Sequence, residues 1–191
     1  AHMVEQDPFN LYITEVIDFA GYMIIDTACQ RSCCSSRWLD VHAKILSQYG
    51  LKPYMLDVTD DFQFGSGGIH RASKRAYLPA ALPGQQSNGL LLGVSVLKDA
   101  QIPFLASNTM LEKLGCVVDT VRNRLKFEFI GVDIPLDRIH GHYAVSIVNL
   151  WHGISRLQVW QELSSGKFWM APEPEVIIAA PVAQDLPIKS P

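Results

Sequence analysis

The chain has 191 residues, of which 48% are hydrophobic and 18% are charged, and its formal net charge is −3. This length and composition suffice for one domain with a hydrophobic core. The weak negative charge and the lack of a basic run indicate neither a nucleic-acid-binding nor a membrane-binding surface. The longest hydrophobic stretches are too short to span a bilayer and no secretory signal is visible, so we expect an intracellular, cytoplasmic location.

The composition divides the chain into three segments. The first three residues are typical of a remnant left by an expression vector, so we expect residues 1–10 to be this remnant and a lead-in. Residues 11–162 are predicted to form the folded domain. Five prolines lie between residues 172 and 191, and no turn signals tie them to a core. We therefore expect residues 163–191 to be an extended or disordered tail.

The first predicted elements are two strands that meet at an acidic residue. Leu11–Phe19 is rich in β-branched and aromatic residues, and Tyr22–Ile25 is a short hydrophobic run. The turn signal between them predicts a hairpin that ends at Asp26. A carboxylate at such a place is unfavourable unless it is hydrogen-bonded or used in chemistry. Taken alone, Asp26 is interpreted as a turn cap that accepts backbone N–H bonds.

Three of the four cysteines lie close to Asp26 in sequence. They are Cys29, Cys33 and Cys34, whereas Cys116 is distant, so the pattern is not that of a disulfide framework. Their spacing matches no common zinc pattern, so we predict no metal site and expect buried, reduced thiols. A zinc-dependent or redox-responsive protein that uses the three clustered cysteines remains an alternative.

A helix is predicted to follow the cysteines. Hydrophobic residues recur at helical spacing from Trp38 to Tyr49, Ser35 or Ser36 is a candidate N-cap, and Gly50 is a candidate end. His42 falls on the same hydrophobic face, and we interpret it as a packing residue. No nucleophile with the sequence context of a serine or cysteine hydrolase accompanies it.

A long hairpin with a glycine-rich tip is predicted next. A strand is expected at Leu51–Val58, an alternating strand leads into the tip at Gly65–Gly68, and a further strand is expected at Ala72–Leu82. No Gly-Lys-Ser/Thr sequence or helix follows, so the tip is not a phosphate-binding loop. The hairpin is a candidate lid, and an ordinary structural hairpin is the alternative.

The remaining pattern is mostly short strands, so the fold class is predicted to be all-β. A short helix is expected to begin at Ser107, Asn108 or Thr109 and to end at Gly115. A second short helix is expected within Trp151–Glu162. The other predicted elements are strands at Leu90–Leu97, Ile102–Leu105, Cys116–Asp119, Arg124–Phe129 and His142–Ile147.

Several of these segments together resemble the retropepsin-like aspartic proteases. Ile24–Ala28 resembles the family's motif of two hydrophobic residues, Asp, Thr or Ser, and a small residue. Phe62–Ile69 is similar to the flap of these enzymes. Phe104–Asp119 is similar to the second half of their repeat, in which a hydrophobic pair and a turn lead into a helix, a glycine and a strand. The resemblance covers about residues 11–130.

The resemblance implies an all-β retropepsin-like acid protease β-barrel with short helices, whose active form is a homodimer. It implies an aspartic endopeptidase that hydrolyses peptides or a polyprotein, of retroviral or retrotransposon type, with neither cofactor nor metal and without nucleic-acid or membrane partners. Each copy would supply one aspartate, and the pair would share a proton and activate water. The implied catalytic residues are Asp26, Thr27 and Ala28. The implied flap residues that bind substrate are Phe64, Gly65, Ser66, Gly67 and Gly68.

Three positions depart from the family's pattern. Ala28 stands in place of the usual glycine, and Ala106-Ser107-Asn108 replaces a Gly-Arg-Asn/Asp turn. Arg31 and its neighbour Gln30 stand where an acidic residue is expected, so the ion pair that supports viral dimers cannot form in the usual way. A catalytically inactive module with the same fold, used for dimerisation or peptide binding, is therefore the alternative.

Overall fold

The structure is a computed structural model that describes residues 16–65, 67–85, 89–151, 154 and 174–178. Most of the elements are strands, which confirms the all-β prediction. Helix α1 spans Ser36–Ser47, helix α2 spans Asn108–Leu114, and a 3-10 turn spans Glu128–Ile130. The strands β1 to β12 are, in order, Tyr22–Ile25, Cys33–Ser35, Tyr54–Gln63, Ile69–Ala80, Leu90–Leu97, Phe104–Ala106, Cys116–Asp119, Arg124–Phe127, Val132–Pro135, Asp137–Ile139, His142–Ser146 and Val176–Ile178.

Among the described residues the strands form two sheets, and the larger sheet contains β1, the strand that leads into Asp26. Its strand order is β10-β11-β1-β6-β2-β5-β4-β3, with β12 also paired to β5, and the smaller sheet is β7-β8-β9. Strand β6 is parallel to β1 and antiparallel to β2, although β1 and β2 follow each other in sequence. The connection formed by residues 26–32 therefore passes across the end of β6. We call residues 26–32 the Asp26 loop.

The predicted strand at Leu11–Phe19 is wrong where it is described, because residues 16–18 are helical. Val16 and Phe19 are both buried, and their spacing of three places them on one face of a helical turn. Residues 11–15 lie outside the described part of the chain. The predicted hairpin with Tyr22–Ile25 is consequently wrong as well, since β1 pairs with β11 and β6 instead.

The helices predicted around Trp38–Tyr49 and between Ser107 and Gly115 are confirmed, each with a serine N-cap, although α1 ends at Ser47 with Gln48 as its C-cap and not at Gly50. The Ser35 side chain accepts a hydrogen bond from Trp38 N–H at the start of α1. The Ser107 side chain accepts one from Met110 N–H at the start of α2, and Gly115 ends α2 in the left-handed conformation at φ 64°. Trp38 is fully buried and donates its ring N–H to Phe19 O at 2.8 Å. Helix α1 thereby anchors the turn that precedes β1.

Strand β12 lies in the segment expected to be a tail. Val176–Ile178 pairs antiparallel with Leu90–Leu92 of β5. Strand β2 covers only Ser95–Leu97 on this edge of β5, which leaves backbone groups that β12 satisfies. For residues 174–178 the expectation of a tail separate from the core is therefore wrong. The rest of residues 163–191 and most of the predicted helix within Trp151–Glu162 lie outside the described residues.

His42 is completely buried on α1 and stacks on Trp38 with ring centroids 4.6 Å apart. This confirms its interpretation as a packing residue. Neither of its ring nitrogens has a hydrogen-bond partner among the described residues. Burial lowers the pKa of His42 to about 4. The folded state therefore holds this imidazole in its neutral form across most of the acidic range.

His42 is expected to make the protein less stable as the pH falls. The folded pKa of about 4 lies below that of an unfolded histidine, about 6.5. The unfolded state therefore binds more protons between these values, and stability present above pH 6.5 is lost on acidification. The loss should reach about 3 kcal/mol. The free energy of unfolding, measured in urea at pH 7, 5.5 and 4, should fall more steeply for the wild type than for His42→Leu. Equal decreases in the two proteins would contradict this role of His42.

Candidate active site

Asp26 lies directly after β1, in a turn that its own carboxylate helps to form. Its backbone N–H donates to Ala106 O at 3.2 Å, which continues the pairing of β1 with β6. Ala28 N–H donates to Asp26 Oδ1 at 3.0 Å, and Cys29 N–H donates to Asp26 O at 3.3 Å. The turn-cap interpretation is therefore correct. It leaves the second carboxylate oxygen, Oδ2, available for other contacts, because the side chain is only partly buried.

A cleft of about 740 Å³ opens beside Asp26. One wall consists of Asp26 and residues 28–31 of the Asp26 loop, and the other consists of residues 59–65 at the end of β3 and in the hairpin tip. Thr27 and Ala28 are exposed on the surface next to the carboxylate. The structure thus brings Asp26 and the predicted flap to the same cleft.

The predicted flap is the tip of the β3–β4 hairpin. The two strands are longer than predicted, and they pair from Tyr54–Tyr77 to Gln63–Ile69 with a register shift between Asp57 and Asp60. Phe64 and Gly65 line the cleft, and the Gly67 N–H donates to Phe64 O at 3.0 Å to close the turn. Gly65 has φ 57°, a conformation that glycine adopts without strain. Gly68 is exposed and Ser66 lies outside the described residues.

Arg31 joins the Asp26 loop to the base of the flap hairpin. Its guanidinium forms an ion pair and hydrogen bond with Asp60 of β3. Asp60 is buried and also accepts hydrogen bonds from Arg75 Nη2 at 3.0 Å and Ser95 Oγ at 2.6 Å. Arg31, one of the two residues that stand where the resemblance leads us to expect an acid, therefore pairs within this chain.

The sequence analysis does not identify Asp60 as a buried, paired carboxylate. A signal was present, because side chains on β3 alternate between its two faces. Asp60 shares a face with Val58 and Phe62, whereas Asp57 and Asp61 lie on the exposed face. An acid on the inner face of an alternating strand requires partners. Its partners Arg75 and Ser95 lie on β4 and β5, at positions that only the strand register reveals.

A second buried carboxylate, that of Glu175, holds the Asp26 loop by hydrogen bonds to Ser32. Glu175, which precedes β12, accepts hydrogen bonds from Ser32 N–H at 3.2 Å and from Ser32 Oγ at 3.3 Å. It also accepts one from Ser107 Oγ, the cap of α2. Ser107 N–H in turn donates to Ser32 Oγ at 2.9 Å. Sequence analysis missed this network, because a glutamate in a proline-rich segment gives no local signal for contacts with Ser32 and Ser107.

Replacement of Glu175 is expected to destabilise the fold according to how many acceptor atoms are removed. Glu175→Ala removes both carboxylate oxygens from buried donors of Ser32 and Ser107, at an expected loss of about 1–3 kcal/mol. Glu175→Gln keeps one carbonyl oxygen and should lose less. Urea unfolding of the three proteins measures the difference. Equal stability of the alanine and glutamine variants would contradict this role for the carboxylate.

Two thiols of the Asp26 region lie in the same hydrophobic cluster. The Cys29 thiol donates to Arg31 O at 2.8 Å, and its side chain packs against the cluster that contains Cys33. Cys34 is buried in a different part of the core, with Trp38 among its cluster. The three cysteines therefore do not converge. Within the described residues, no group of three or more His, Cys, Asp or Glu side chains is arranged to hold a metal ion.

Comparisons with known proteins give a fold similarity only. No protein-family model matches the chain, and no curated protein matches it. Among solved structures, the retroviral protease-like domain of Ddi1 from Leishmania major is 17% identical, with a TM-score of 0.42. The match covers 61% of this chain and 86% of that one.

Within the described residues, no helix is both long and apolar enough to cross a membrane.

Proposed function

We propose that this chain is an aspartic endopeptidase that acts as a homodimer. The observation that carries the proposal is the placement of Asp26. Its carboxylate is fixed by Ala28 N–H at the end of β1 and opens on a cleft whose opposite wall is a glycine-tipped hairpin. This arrangement suits a carboxylate that acts on a substrate held between the loop and the hairpin.

The other acids in the cleft support a dimeric site. Asp60 is engaged by Arg31 and Arg75, and a hydrogen bond from Arg71 lowers the pKa of Asp61. Both of these carboxylates are engaged by arginine side chains. Within the described cleft, Asp26 therefore has no second carboxyl group with which to share a proton. A second copy of the chain would supply it, and Thr27 would brace the two carboxylates across the twofold axis.

The proposed reaction divides the work between two Asp26 side chains. Two carboxyl groups at close range cannot both ionise, so they share one proton. The ionised group removes a proton from water, and the oxygen of that water attacks the scissile carbonyl carbon. The protonated group donates to the carbonyl oxygen. Collapse of the tetrahedral intermediate then releases the amine, which receives a proton from the pair.

An extended peptide is the substrate that the hairpin fits best. Strand β3 is the terminal strand of the main sheet as described, so one edge of its backbone is open to pairing. A peptide bound in the cleft could add to such an edge by main-chain hydrogen bonds. Closure of Phe64 and the following glycines over the peptide would exclude bulk solvent from the cleft while the attacking water stays bound.

The test is cleavage of a mixed peptide library between about pH 4 and pH 7, the range in which a carboxyl pair changes protonation state. Wild type, wild type with pepstatin, and Asp26→Asn are run together, and the oligomeric mass is measured in parallel. Cleavage by a dimer that is blocked by pepstatin and by the substitution supports the proposal. A folded dimer that cleaves nothing would contradict the proposal and favour the inactive peptide-binding module. Two features suggest that module: Ala28 in place of the usual glycine, and the pairing of Arg31 within the chain.

A further inference from the structure

The Asp26 loop carries a pair of thiols at the border between the cleft and the core. Cys29 lies in the cleft wall and is partly exposed, whereas Cys33 begins β2 and is fully buried. Both side chains belong to one hydrophobic cluster, together with Phe62 and Leu97. The pair therefore has one member that a small molecule in the cleft can reach and one that is shielded behind it.

The two thiols are chemically unequal. Interaction with Cys33 lowers the pKa of the Cys29 thiol, whereas interaction with Cys29 and burial raise the pKa of the Cys33 thiol. Thiolates, not thiols, react with oxidants. The accessible member of the pair is thus also the more nucleophilic one.

The other two cysteines lack this combination. Cys34 is fully buried, and burial raises its pKa. Cys116 is partly exposed, but burial raises its pKa to about 11. Both provide controls within the same chain, Cys34 as the immediate sequence neighbour of Cys33 and Cys116 as a partly exposed thiol remote from the pair.

We propose that Cys29 and Cys33 form a dithiol site that a peroxide oxidises to a disulfide within the wall of the cleft. The Cys29 thiolate attacks one peroxide oxygen, the O–O bond breaks, and the products are a Cys29 sulfenic acid and hydroxide, which takes up a proton to become water. The Cys33 sulfur then attacks the sulfenic sulfur. The S–S bond forms, and the hydroxyl group leaves with the Cys33 proton as a second water. Two thiols are oxidised by two electrons and the peroxide is reduced to two waters.

Disulfide formation should disturb Asp26. The Cys29 sulfur must leave Arg31 O and come to about 2.05 Å from the Cys33 sulfur. Cys29 is part of the turn that holds Asp26, and its carbonyl also accepts from Asn108 N–H at 3.0 Å. A displacement of about 1 Å at a catalytic group lowers rates by about 10²-fold. This consequence for cleavage rests on the proposed function, whereas the disulfide itself does not.

The disulfide is tested by mass spectrometry on native protein treated with hydrogen peroxide. The mass should fall by about 2 Da, the two hydrogens lost per disulfide. Arg31 lies between Cys29 and Cys33, so trypsin separates them unless a disulfide holds their peptides together. Cys34→Ala removes the ambiguity of the adjacent cysteine, and Cys116→Ala should link as the wild type does. Absence of the Cys29–Cys33 link, or oxidation of Cys116 ahead of Cys29, would overturn the proposal.

Cleavage measured on the same samples tests the consequence. The oxidised protein should lose about 10²-fold in rate, and dithiothreitol should restore it. Cys33→Ala removes both the resolving thiol and the neighbour that lowers the pKa of Cys29, so no link should form, and any Cys29 that excess peroxide oxidises to sulfinic acid should not be restored by dithiothreitol. A linked protein that cleaves as fast as the reduced one would overturn the regulatory role. If the reduced protein cleaves nothing, the proposed function fails, and the mapped link still decides the dithiol site.

Discussion

Asp26→Asn is expected to lower kcat/KM for peptide cleavage by at least about 10³-fold, because each copy loses the group that serves as general base or general acid. The amide is nearly the same size as the carboxyl group and keeps an oxygen for the bond from Ala28 N–H. Fold and dimer should therefore be unchanged. Initial rates on the best peptide from the library, with circular dichroism and native mass, measure the three properties together.

The matched control for this substitution is Asp40→Asn. Asp40 is exposed on α1 and does not line the cleft, so the same chemical change there should alter kcat/KM by less than about twofold, as expected of an exposed site remote from the chemistry. An Asp26→Asn protein that is folded, dimeric and as active as the control would show that the chemistry lies elsewhere.

Asp60→Asn is expected to give the largest loss of stability, about 3 kcal/mol, because it removes the negative charge from a buried ion pair. Both side chains of the Asp60–Arg75 pair are only 7% exposed. The substitution leaves the Arg75 cation facing a neutral amide, and it weakens the contact between Arg31 and β3 as well. The free energy of unfolding in urea is the measurement.

Asp57→Asn on the same strand is the control that distinguishes the effect of burial from the effect of ion pairing on stability. Asp57 also pairs with a cation, Lys74, but its side chain is 87% exposed. Water screens such a pair, so the substitution should cost less than about 1 kcal/mol. Equal losses for the Asp57 and Asp60 variants would mean that the buried network contributes no more than a surface pair.

The features predicted correctly from sequence are those with local signals. Ser35 and Ser107 stand one position before their helices, and Gly115 stands one position after α2. A cap is a contact over three or four residues, so it is visible in the sequence itself. The Asp26 turn and the glycine-tipped hairpin are equally local, and both were predicted.

The features that the sequence analysis missed depend on long-range contacts or on a hydrophobic pattern whose period is ambiguous. The nine residues Leu11–Phe19 are only partly alternating, and over so short a segment the hydrophobic pattern does not distinguish a strand from a helix. Strand β12 is only three residues long and exists because β5 has an open edge. Asp60 meets Ser95 across 35 positions, and Ser32 meets Glu175 across 143. Such pairings can be predicted only when the order and register of the strands are known, and no single segment of the sequence contains that information.

The distance in sequence between Ser32 and Glu175 has a consequence for the order of events during synthesis. The Asp26 loop, its flap hairpin and β1 to β11 all precede Glu175 in the chain, so the ribosome completes them first. Until the segment at 174–178 emerges, Ser32 and the Ser107 cap lack the carboxylate that ties them together. A nascent chain would thus reach its full set of loop contacts only after Glu175 has been synthesised. Cleavage of the chain immediately before Pro174 would remove those contacts without altering any residue of the cleft.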